Sequence, residues 1–226
     1  MDRIATLPAG VFLDQSDDFT TRGSSNANCE PREAALRVHV ATGQYLASVG
    51  KWPIFSSTLS GDNDVAEQNT IWAAGVGYTR FDEFFTPTLG AMKALYNETE
   101  RGVPTLVHAP TSVKRHPGIS NLNAMSAYLV GTGNAAHSYY QYSSGWYDQN
   151  WRWDPLFDVS YGEATGPPVV TTYGVNATAP KTGEVWVRKF DHGNITVSVN
   201  CTPPEMRIVW CIGDISWPGR VATEVA

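Results

Sequence analysis

Short apolar runs and helix-spaced stripes alternate along the first 143 residues of the chain. Gly10-Val11-Phe12-Leu13-Asp14 reads as a buried strand that ends in an acid. The next stretch offers Asn28 as a helix cap, Pro31 near the first turn, and Ala34, Ala35, Val38, Leu46 and Val49 as an apolar stripe. Residues 53–59 predict a second strand, Asp64 caps a helix reaching Trp72, and residues 77–84 predict a third strand. Thr86-Pro87 opens a helix that stops at Gly102, and residues 104–108 form the fourth strand. Ser120 or Asn121 starts a helix running to Val130, and residues 137–142 supply the fifth strand. Five strands separated by four helices specify a parallel α/β sheet with right-handed crossovers.

The pattern changes after Ser143. Residues 145–153 form an aromatic loop with neither helical nor strand period. Further on, Trp186, Arg188 and Phe190 alternate with Val185, Val187 and Lys189 up to the turn Asp191-His192-Gly193-Asn194, and Ile195, Val197 and Val199 alternate back. That is an antiparallel hairpin, with a third strand over residues 207–211. The chain thus divides into an α/β body at 1–143, an aromatic loop and connection at 144–180, and an antiparallel appendage at 181–226.

Composition narrows the function classes. The 226 residues carry a net charge of −6, which gives no electrostatic basis for binding nucleic acid. No apolar run reaches the roughly 18 residues that a membrane span needs. Aromatics are plentiful, with 8 Trp and 10 Tyr, while charged residues make up only 17%. Cys29, Cys201 and Cys211 lack metal-ligand spacing, and in an oxidising compartment Cys201 and Cys211 can close a hairpin. The N-x-Thr sequons at Asn97, Asn176, Asn194 and Asn200 point to a secreted or extracellular glycoprotein, although Met1-Asp2-Arg3 carries no apolar signal region. Acyl-transfer and nucleotide chemistry find no support, because there is no Gly-x-Ser-x-Gly elbow and no Gly-rich phosphate loop. Asp14, Asp17 and Asp18 lack the glycine turn of a calcium loop, so no metal and no cofactor is expected.

Three segments carry a resemblance. They are Gly10-Val11-Phe12-Leu13-Asp14; Ser126-Ala127-Tyr128-Leu129-Val130 followed by Tyr139-Tyr140-Gln141-Tyr142; and Tyr161-Gly162-Glu163-Ala164-Thr165-Gly166-Pro167-Pro168 followed by Val187-Arg188-Lys189-Phe190-Asp191-His192-Gly193. In this order the chain resembles uncharacterised glycoside-hydrolase (β/α)8 barrels, distantly similar to the endo-α-1,4-polygalactosaminidase group. The resemblance implies an α/β fold, a partial (β/α)8 TIM-type barrel of about five parallel βα units with a small antiparallel C-terminal appendage. It aligns the first strand here with the fourth of such a barrel and the fifth with the eighth. The sheet is therefore expected to stay open at both edges, as a missing N-terminal segment or a second chain would require.

Reacting groups of parallel α/β folds gather at the C-terminal ends of strands. Asp14 sits at one such end, and Asp82 and Glu83 at the end of the next strand but one. A glycosidase needs two carboxylates about 5–5.5 Å apart for retention or about 6.5–9.5 Å for inversion. Strand alternation turns only one of Asp82 and Glu83 inward. The resemblance implies an acid at that end and favours Glu83, leaving Asp82 as a solvated or Arg-paired neighbour. Glu83 would then serve as acid/base and Asp14 as nucleophile or second carboxylate. Asp82, His108, Tyr140, Tyr142, Trp146, Trp151 and Trp153, with Tyr147, are the candidate substrate contacts, since sugar rings stack on aromatic faces and their hydroxyls bond to polar side chains. His137 reads as a rim residue, and Trp52 and Trp72 read as core. The implied partner is a polysaccharide or oligosaccharide. Two alternatives stand beside hydrolysis: a catalytically silent carbohydrate-binding relative, and an incomplete fragment or structural subunit that needs a partner chain.

Overall fold

The computed structural model describes residues 10–13, 32–57, 62–82, 85, 87–110, 121–133, 137–143, 153–173, 183–199 and 207–211. Its first half runs β1 (Val11–Leu13), α1 (Arg32–Ser48), β2 (Pro53–Ser57), α2 (Asp62–Ala73), β3 (Thr79–Asp82), α3 (Leu89–Glu100), β4 (Thr105–Pro110), α4 (Asn121–Gly131) and β5 (Ser138–Ser143). The five strands pair in parallel in sequence order, β1-β2-β3-β4-β5. Successive helices touch one another, α1 with α2, α2 with α3 and α3 with α4, and so form one layer on one face of the sheet. This is the expected α/β arrangement, consistent with part of a TIM-like barrel.

Strand alternation divides the side chains between two faces. Toward the helices point Leu13, Phe55, Arg80, Val107 and Tyr140, one from each strand. Two apolar clusters fill that layer. Phe55, Ile71, Val76, Tyr78 and Val103 pack under α1 and α2, and Phe85, Met92, Leu95, Val107, Ala124 and Val130 under α3 and α4. Helix α1 turns Leu36, His39, Val40, Gly43 and Leu46 inward, and a β-carbon at Gly43 would collide with Val76. The glycine lets α1 approach this closely, and it rotates Val38, expected in the apolar stripe, out to solvent. Helix α3 starts at Thr88, whose hydroxyl accepts from Ala91 N at 3.2 Å. The chain leaves α3 through Gly102 at φ 74°, the left-handed conformation that glycine adopts freely.

A buried ion pair links the sheet to this helix layer. Arg80 Nε donates to Glu98 Oε1 at 2.9 Å, and Tyr78 Oη donates to the same oxygen at 3.0 Å. Burial pushes the Glu98 carboxyl above the usual carboxylate range, against the pull of the Arg80 guanidinium. Burial works against the charge on Arg80, but Glu98 opposite makes the guanidinium hold its proton more firmly than in water.

The second sheet is antiparallel, in the order β6 (Val169–Tyr173), β7 (Gly183–Phe190), β8 (Gly193–Val199) and β9 (Arg207–Cys211). The hairpin β7–β8 and the strand β9 lie where alternation predicts them. Strand β6 falls inside the stretch expected to be loop and connection, where Val169-Val170-Thr171-Thr172 offers β-branched residues without a polar alternation. Far from hanging free, the sheet packs on α4 and α3. Trp186 is buried in the α3–α4 cluster with its ring edge-on to Tyr96 at 6.0 Å. Arg188 donates to the carbonyls of Leu129, Gly133 and Gly166, and Lys93 Nζ meets Glu184 Oε1 at 2.8 Å.

Candidate functional site

The face of the parallel sheet turned away from the helices carries Phe12, Ile54, Ser56, Thr79, Phe81, Leu106, His108, Tyr139, Gln141 and Ser143. It is concave: the rings of Phe12 on β1 and Phe81 on β3 meet at 5.7 Å across the intervening β2. At its C-terminal end His108 Nε2 shares a proton with Ser143 Oγ at 2.8 Å, and both residues are buried. This polar contact between β4 and β5 joins a predicted residue to one that sequence reasoning missed. Ser143 stands two positions beyond Gln141 on the same alternation, which is the signal that marks it.

Strands β1 and β3 end at Leu13 and Asp82, and Asp14 and Glu83 are the residues that follow. Both lie outside the described residues, as do Trp146, Tyr147, Trp151, Cys201, Asn176 and Asn200. Asp82, expected as a substrate contact or as a solvated or Arg-paired neighbour, is 0% exposed and so is not solvated. Its register puts it on the same face as Arg80, toward the helix layer, at the buried end of β3.

The predicted aromatic contacts divide between locations. Tyr140 is turned to the helix layer, stacked on Tyr128 with ring centroids 5.1 Å apart and donating to Asn121 Oδ1 at 2.9 Å. Burial, followed by neighbouring Tyr142 and Asp154, pushes its phenol pKa up. Tyr142 shares that face by alternation and packs against the same cluster. Neither tyrosine shares the concave face with His108. Trp153 is exposed and packs on Phe157, which in turn touches Tyr140, so the three rings form a ladder beside β5.

Trp52 and Trp72, expected in the core, are both exposed. Trp52 lies across the N-terminal end of the concave face, donating to Thr79 Oγ1 at 2.9 Å with its ring pressed on Gly77. It is 48% exposed there, whereas His108 and Ser143 at the other end of the face are buried. Trp72 lies on the outer end of α2 under the Arg101 guanidinium, 5.9 Å from the ring centre.

Of the sequon residues, Asn97 is inside α3, donating to Gln68 Oε1 at 2.9 Å, and Thr99 is buried with its hydroxyl bonded to Leu95 O. A glycan there would have to displace packed helix. Asn194 pairs in register with Lys189 and Cys211, and Cys211 ends β9.

The sequence model of hypothetical glycosyl hydrolase family 15 matches residues 62–194, more than half of the chain. The matched segment runs from α2 into β8, so it takes in parts of both sheets. No curated protein and no solved structure matches. The more distant likeness to the polygalactosaminidase group rests on the quoted motifs alone. With a parallel α/β sheet, a concave strand-end face and this match in hand, the chain belongs to hypothetical glycosyl hydrolase family 15.

Proposed function

We propose that this chain cleaves a polysaccharide or oligosaccharide, with Asp14 and Glu83 as the two carboxylates that flank the scissile bond. The observation that carries this reading is the match to hypothetical glycosyl hydrolase family 15 over residues 62–194. In the sequence Asp14 and Glu83 directly follow the ends of β1 and β3, and the reacting groups of parallel α/β folds gather at such ends. A glycosidase works with two carboxylates about 5–9.5 Å apart. Glu83 is the group that protonates the leaving oxygen and then activates water. Asp14 is the nucleophile or the second, charge-stabilising carboxylate. Trp146, Trp151 and Trp153 are the stacking surfaces for sugar rings, and the His108–Ser143 pair contributes polar contacts at the rim.

Release of reducing ends from a panel of soluble polysaccharides tests the assignment. Asp14→Asn and Glu83→Gln are each expected to lower turnover at least about a hundredfold, the usual scale of acid–base catalysis. Unchanged turnover in either variant would remove that residue from the mechanism. Affinity for a glycan without any release of reducing ends would select the silent carbohydrate-binding reading instead. Secretion with Cys201 bonded to Cys211 belongs to the same proposal, and three titratable thiols in native secreted material would count against it.

A further inference from the structure

We propose that a one-residue slip in the pairing of β3 with β4 sets the aim of Glu83, with Phe85 and the His108 carbonyl as its anchors. Arg80 N donates to Pro104 O at 2.9 Å, and an unbroken parallel ladder repeats such a bond every two residues on both strands. The register holds through Asp82, which stands opposite Val107. Continued by two more residues, the ladder would have residue 84 donate to the carbonyl of His108. Instead Phe85 N donates to His108 O at 2.9 Å. The β3 side therefore has one residue more than the β4 side.

Burial gives the same count. Arg80 and Asp82 point toward the helices, and alternation would give that face next to residue 84. Phe85 occupies it, fully buried in the cluster with Met92, Leu95 and Val107. Glu83 and Phe84 lie outside the described residues, but the anchors on either side fix the interval they span. Two residues there take the place of one, which is the count of a β-bulge.

A bulge bends its strand and re-aims the side chains within it, and such features recur beside active sites. The extra residue falls beside Glu83, so its positioning role rests on the hydrolytic reading above, whereas the slip itself rests on the hydrogen bonds alone. The strand that receives the Phe85 bond is held in turn. His108 Nε2 and Ser143 Oγ lie 2.8 Å apart and both residues are buried, which fastens β4 to β5 at the same level. Changing the number of residues between Asp82 and Phe85 leaves these partners in place and alters the direction in which residue 83 leaves the strand.

Amide hydrogen exchange read by NMR on the unmodified full chain tests the slip. The Phe85 amide is expected to be protected and the Phe84 amide to exchange far faster, and a protected Phe84 beside an unprotected Phe85 would overturn the proposal. Deletion of Phe84 restores the two-residue repeat, while Phe84→Ala keeps the count. On a soluble glycan that the unmodified chain cleaves, the deletion is expected to lower kcat about a hundredfold with KM little changed, the scale of a reacting group displaced by about 1 Å. Phe84→Ala should retain most of the rate. A glycine inserted after Phe84 lengthens the interval instead, and gives the same test should the deletion variant fail to fold. Full turnover in the folded deletion or insertion variant, or equal losses in these and in Phe84→Ala, would overturn the proposal. No release of reducing ends by the unmodified chain would overturn the hydrolytic reading and the aim of Glu83 with it, while the exchange pattern still decides the slip.

Discussion

Arg80 and Glu98 show what a single buried pair does in this fold. Both side chains are sealed from solvent, and Glu98 Oε1 accepts from two donors at once, Arg80 Nε and Tyr78 Oη. Removing one member of such a buried pair typically costs about 3–5 kcal/mol. Glu98→Ala is therefore expected to lower the urea-derived unfolding free energy on that scale, and a loss under about 1 kcal/mol would show that water reaches the guanidinium. The phenols make a second, pH-dependent contribution. Burial raises Tyr128 and Tyr161 from 10.0 to about 12, and raises Tyr140 as well. A folded-state pKa above the unfolded one means that the native state resists losing the proton. The stability these phenols confer is whole below pH 10 and drains away as the pH rises from 10 through 12. Denaturation midpoints should fall steeply over that window, with phenolate absorbance rising together with unfolding. Neither device was legible in the sequence. Alternation sets Arg80 and Asp82 on one face, but only the packing of α3 reveals that Glu98 lies opposite the arginine.

At the scale of elements, local rules located most of the chain and tertiary contacts moved the rest. The stop at Gly102 and the turn Asp191–Asn194 carry residues whose backbone preferences punctuate the chain, and both elements end there. The inward stripe of α1 was less legible. Its Gly43 contributes no hydrophobicity, yet it decides which face approaches Val76, and Val38 is exposed as a result. Trp52 misled for a related reason: a large apolar residue beside a strand ordinarily lies in the core, but its place is at the N-terminal end of the concave face, where it is exposed. The candidate acids were legible only as strand-end positions, because one sequence gives no distance between Asp14 and Glu83. Helix α3 provides an element-level test. Thr88→Ala removes the hydroxyl that accepts from Ala91 N, and a lost N-cap typically costs about 1 kcal/mol. Thr88→Ser should retain most of that stability, since it keeps the acceptor. Equal losses in both variants would show that the threonine methyl, and not the cap, matters.

Across the whole molecule, the two sheets behave as one folding unit because the antiparallel sheet completes the core of the parallel one. Trp186 from β7 joins residues of α3, β4 and α4 in a single cluster, and Arg188 satisfies the carbonyls of Leu129 and Gly133 where α4 ends. Those carbonyls have no partner within the helix beyond its last turn, and burying them unbonded would be costly. On the other side of the joint, Gly162 at φ 74° brings its backbone against Asp191, whose Oδ2 accepts from Glu163 N at 3.0 Å. The turn of the hairpin is thus tied to the segment that leads into β6. An appendage on a tether would melt on its own, but this one cannot leave without exposing Leu129, Tyr96 and the end of α4. Urea unfolding followed by far-ultraviolet circular dichroism and by tryptophan fluorescence should therefore give coincident transitions. Trp186→Ala should lower both midpoints together, by the about 3–5 kcal/mol that deletion of a buried large aromatic side chain usually costs. Separate transitions, or a Trp186→Ala variant in which only the fluorescence midpoint moves, would show that the sheets fold independently.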